Sequence, residues 1–155
     1  MRRVVMVLVL VAAAGALAAH GQGGYGDYST SPTPAAPAQG AAVRTQVRTA
    51  LTHAGFAAGG DTLAYVTQHL GHALNCIQGE GGKNFNRAWG HVCQGQGRGI
   101  LTDLKAAPGG SDLLLVAQAA DDLAVAGAKS RNLNEARLAA KGVAALLQVI
   151  ADTVK

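Results

Sequence analysis

Two cysteines constrain this chain more than any other residues. Cys76 closes a segment with helical periodicity. Cys93 lies in a run with glycine at 79, 81, 82, 90, 95, 97 and 99, which reads as a loop. Neither cysteine belongs to a CxxC pair, the usual spacing of a structural zinc site. In an exported protein two such cysteines most simply form one disulfide. That bond predicts a loop over 78–99 folded back onto the helix that carries Cys76. Closing a loop of this size contributes on the order of 3 kcal/mol by restricting the unfolded chain.

Export is predicted by the N-terminus. Arg2 and Arg3 precede an apolar run over 4–17, and Ala16-Leu17-Ala18 has the small-x-small form of a cleavage site. The run, about fourteen residues, is short for a membrane span. Residues 1–19 therefore read as a signal peptide, giving a periplasmic or secreted protein with no stable membrane span after cleavage. Residues 20–40 are rich in Gly, Ser, Thr and Pro, lack an apolar period and read as a disordered spacer. The folded domain is then 41–155. The formal charge of +4 includes the two signal arginines. What remains is too small and too scattered to recruit nucleic acid.

The domain predicts an all-α fold. Alanine and leucine dominate and aromatic residues are only 4 % of the chain, so closely packed helices are favoured over sheets. A first helix over 41–57 has Val43, Val47, Ala50, Leu51 and Ala54 on one face. A second, capped by Asp61, runs to Ile77 with Leu63, Val66, Leu70, Leu74 and Ile77 inward. A short helix over 100–107 precedes the breaker Pro108-Gly109-Gly110. Helices over 111–128 and 133–154 form an αα-hairpin, with capping-box spacing at Asn132 and Glu135. Leu114 and Leu115 fall off the apolar stripe of their helix and are expected to pack under the loop. The whole is an antiparallel bundle of four main helices and one short one, with a disulfide-pinned glycine-rich loop.

The second helix has a second stripe. Turning about 100° per residue aligns Tyr65, His69, His72 and Cys76 on a line well away from the core face. At i, i+3, His69 and His72 can reach one metal ion. Neutral imidazole suits copper, zinc and nickel. His91, drawn in by the disulfide, and His53, on the neighbouring helix, are the residues available to complete the set.

His69-Leu70-Gly71-His72 and the terminal hairpin, from Ala124-Val125-Ala126-Gly127-Ala128 through Asn132-Leu133-Asn134-Glu135-Ala136-Arg137, resemble exported helical-hairpin proteins of the periplasmic small metal-binding type. The resemblance spans half of the mature chain. It implies a non-enzymatic protein that binds copper, nickel or zinc. Members of that type carry histidines throughout their helices, whereas this terminal hairpin has none, so one site near His69 and His72 is implied. The segment 69–76 followed by the glycine loop also resembles a pattern of exported bacterial proteins that brings no function with it.

An alternative function is a structural or interaction module of the cell envelope. Its docking surface would be the loop over 78–99, with Phe85 and Trp89 as anchors and an envelope protein as partner. Catalysis finds no footing. GxSxG, HExxH and CxxCH are absent, and the adjacent Asp121 and Asp122 diverge by about 100° on a helix. Converging histidines would favour the metal, whereas splayed histidines beside an exposed Trp89 would favour docking.

Overall fold

The computed structural model describes residues 36–154. The expected signal peptide and residues 20–35 of the expected spacer lie outside them. Among the described residues the chain is all-α: α1 (Ala36–Gly59), α2 (Leu63–Gln78), α3 (Ile100–Ala106), α4 (Ser111–Lys129) and α5 (Leu133–Thr153). One 3₁₀ turn, Arg87–Trp89, interrupts the loop between α2 and α3.

The first helix begins at Ala36, inside the expected spacer rather than at its end. Pro37 fits its first turn, where the missing N–H would have no intrahelical partner. Gln39, one turn on, is already buried.

The four long helices form a ring in which α1 packs on α2 and α5, and α4 packs on α2 and α5. The short α3 closes against α1, α4 and α2. Val43, Val47, Val66, Leu70, Leu74, Ile77, Val143, Leu147 and Ile150 fill the centre. Ala117, Ala120, Ala124, Ala136 and Ala140 are fully buried along the α4–α5 seam, where small side chains let the axes approach closely. Burial of this apolar surface, at about 25 cal/mol per Å², is the main force holding the ring. Leu115 does not pack under the loop: it is 80 % exposed, and only Leu114 reaches the core.

The caps differ from expectation in two places. Thr62, not Asp61, caps α2, its hydroxyl accepting from the Tyr65 N–H. Asp61 is instead paired with Arg137 of α5 at 2.9 Å, and Arg137 Nε donates to the Gly60 carbonyl. At the hairpin, Asn132 Oδ1 accepts from the N–H groups of Asn134 and Glu135. Glu135 does not reach back to Asn132; Ser130 Oγ accepts from the Asn132 N–H and donates to the Glu135 carboxylate.

Cys76 and Cys93 are bonded, with Cα atoms 5.3 Å apart. Buried polar side chains fix the rest of the loop. Asn75, fully buried on α2, donates to the carbonyls of Asn86 and Gly90 and accepts from the Asn86 N–H. Gln78 and Asn84 donate to the buried Asp121 of α4. Burial raises the Asp121 pKa, and these two donors oppose the rise. At the far end Gln46 joins Asp103 to the Gly99 N–H. Gly79 and Gly99 have φ of 66° and 109°, the left-handed region that favours glycine, and their backbones cross where the loop leaves α2 and enters α3.

Candidate metal centre

Three histidines converge between α1 and α2. His53 comes from α1, and His69 and His72 from the second stripe of α2. His53 Nδ1 lies 2.9 Å from His69 Nδ1 and 3.2 Å from His72 Nδ1. One nitrogen of each ring falls in a set whose members all lie within 4.8 Å of one another. Two ligands sharing a tetrahedral ion at Zn–N of about 2.0–2.1 Å stand about 3.3–3.4 Å apart. The group can therefore hold a metal ion after small side-chain adjustments.

The helices dictate this meeting. His69 and His72 share a face because three residues turn α2 through most of a circle. His53 enters because α1 and α2 are joined by a tight turn and pack along their length. The His53 ring stacks on His69 at 5.2 Å and meets His72 edge-on at 4.7 Å. Phe56, one turn after His53, packs edge-on against His69, and Tyr65 lies 4.3 Å from the same ring. Phe56 and Tyr65 are each nearly half exposed and border an open hollow with Gly55 and Gly59.

The electrostatics favour the neutral form of His53 and His69. Burial, then the neighbouring His72 and His69, lower the His53 pKa to about 4. Burial and then His72 also lower that of His69. Both rings are consequently uncharged at neutral pH, the form that ligates metal.

The other expected residues stand elsewhere. His91 does not join the group. It packs edge-on against Phe85, and its Nδ1 lies 3.4 Å from Glu80 Oε1, too poorly aligned to form a hydrogen bond. The disulfide draws the loop to α2, but at Cys93 the chain has already turned His91 toward Glu80. Trp89 rests on Gly71 of α2: a Cβ there would overlap the indole. Phe85 and Trp89 are both half-buried, and the large hydrophobics that stand exposed are other residues. The loop thus spends its two aromatic side chains on its own packing. It reaches the histidines through backbone, with the Trp89 carbonyl accepting from Gln68.

Four residues that shape the site were not singled out from sequence. Phe56 follows His53 by three positions, and Gln68 precedes His72 by four, so both spacings carried a signal. Asn75 is a polar residue beside the apolar stripe, and Gly71 is a helix-interior glycine. Each is a local irregularity that only a packed neighbour explains. No helix among the described residues is long and apolar enough to cross a membrane. Comparison with protein-family models, curated proteins and solved structures gives no match for this chain.

Proposed function

We propose that this chain is an exported, non-enzymatic protein that binds one transition-metal ion through His53, His69 and His72. The observation that carries the reading is the convergence of three imidazoles from two helices, two of them held neutral by burial. No carboxylate belongs to the group, so the donor set is nitrogen alone. That chemistry favours copper, zinc or nickel over calcium, magnesium or manganese. Three protein ligands leave a coordination position for water or another donor. The disulfide fits an oxidising compartment, as export requires.

Calorimetry of the full chain with Zn²⁺ and Cu²⁺ tests this. One ion per chain is expected. His53→Ala, His69→Ala and His72→Ala should each weaken binding by at least about tenfold, because losing one of three ligands leaves a poor chelate. His91→Ala should leave it unchanged. No uptake by the parent protein, or equal uptake by the His69/His72 double variant, would refute the site.

A further inference from the structure

Gln68 lies one turn before His72 on α2. Its amide nitrogen is 3.0 Å from the Trp89 carbonyl oxygen and 3.1 Å from His72 Nε2. A carbonyl oxygen only accepts, so the Gln68 atom facing it is nitrogen, and the second amide hydrogen points at His72 Nε2. Donor and acceptor counts then assign the rest of the chain of bonds. His72 Nε2 accepts, so the proton of the neutral ring sits on Nδ1. That N–H donates to His53 Nδ1 at 3.2 Å. His53 Nδ1 is therefore bare; it has a single lone pair, so the 2.9 Å approach of His69 Nδ1 places no proton on His69. One glutamine amide sets the tautomers of His72 and His53.

A histidine that ligates a metal through one ring nitrogen carries its proton on the other. If His72 ligates through Nδ1, its Nε2 becomes an N–H aimed at the Gln68 NH₂. If it ligates through Nε2, the ion displaces that NH₂. The hydrogen bond from Gln68 to His72 survives in neither case. We infer that Gln68 couples metal occupancy of the histidines to the 78–99 loop. On binding, the amide turns so that its oxygen accepts from His72 Nε2–H, and the turn withdraws the donor from the Trp89 carbonyl. Each ring keeps one proton throughout. This rests on the metal reading above and adds to it a positioning residue and a readout in the loop.

The chain has one tryptophan, Trp89, so its emission reports on the loop. In metal-free full-length protein, ¹⁵N spectra of the imidazoles should place the His72 proton on Nδ1. Zinc should move it to Nε2 and shift Trp89 emission. Gln68→Glu supplies an acceptor for Nε2–H, so zinc should bind about tenfold tighter, and the metal-free emission should already match the zinc-loaded parent. Gln68→Leu removes the donor without adding charge. Its emission should no longer respond to zinc. Zinc bound at the three histidines with Trp89 emission unchanged would overturn the coupling alone, as would a bare Nδ1 on metal-free His72 or a Gln68→Glu variant that binds no tighter. No zinc uptake by the parent would overturn the site itself and the coupling with it.

Discussion

Gly71→Ala adds one methyl group to the middle of α2, and two effects compete. Helix propensity alone favours alanine over glycine by about 1 kcal/mol in a helix interior. Against it stands the Trp89 ring, which lies where the new Cβ would be. The indole cannot yield easily, because Asn75 holds the Asn86 and Gly90 backbone on either side and Cys93 is bonded to α2 just beyond. Overpacking of this kind costs about 1–3 kcal/mol, and a rigid neighbour puts it near the upper end. The net loss expected is about 2 kcal/mol, or about 8 °C in Tm for a domain of this size. Gly55→Ala provides the contrast. Gly55 is an exposed residue of α1 with nothing near its would-be Cβ, so the propensity gain stands alone and stability should rise by up to about 1 kcal/mol. Urea denaturation of parent, both variants and Gly71→Ala in a Trp89→Leu background measures each term. In that background the loss should vanish. If Gly71→Ala were as stable as the parent, or shifted stability in the same direction as Gly55→Ala, the indole would not be seated on Gly71.

Further outcomes follow from the site and from the loop's anchors. His53 in the folded protein takes up a proton only near pH 4, against 6.5 for an ordinary histidine. Between these values the unfolded chain binds more protons, so stability of the metal-free protein is unaffected above about pH 6.5 and falls as pH drops toward 4. The shift corresponds to a ceiling of about 3.4 kcal/mol, which screening at a half-buried ring reduces to about 1–2 kcal/mol. His53→Gln should therefore gain that much on the parent between pH 7 and pH 4.5 in denaturation experiments. Asp121→Ala strips the acceptor from the buried Gln78 amide and should destabilise by about 2 kcal/mol at pH 7, measured by urea denaturation. Replacing Cys76 and Cys93 by serine should cost about 3 kcal/mol and shift Trp89 emission toward that of a wetter indole.

The helices and the disulfide were legible because their signals are local. Periodicity at 3.6 residues marked the buried faces of α2 and α5, and the same turning angle set the Tyr65–His69–His72–Cys76 stripe well away from the core face. The partner of that stripe was not legible in the same way. His53 and His91 were equal prospects in sequence, one on a neighbouring helix and one tethered by the disulfide. Helix packing chose His53. The tether failed to deliver His91 because Asn75 and the 3₁₀ turn set the path of the loop before Cys93 is reached. Composition misplaced the start of α1, since Pro37 and Gly40 look like spacer residues yet fit within a helix whose apolar face begins just beyond. Leu115 misled for the opposite reason. A leucine off the stripe was given a covering loop, but the loop lies over α2 and meets α4 at Asp121 through Asn84.

The crossing of Gly79 and Gly99 makes the intervening segment an Ω-shaped insert whose two ends already touch. Such an insert is modular. The bundle supplies its stem, and changing the length of the segment costs little by itself, because the entropy of closing it rises only slowly with length. A segment exchanged between these glycines has to keep the partners of Cys76 and Asn75, namely Cys93 and the backbone at Asn86 and Gly90. The histidines sit on the stem, whereas the Trp89 carbonyl that addresses them through Gln68 belongs to the insert. The three imidazoles can therefore stay fixed on the helices while changes within the insert act on them through the contact between the Trp89 carbonyl and Gln68.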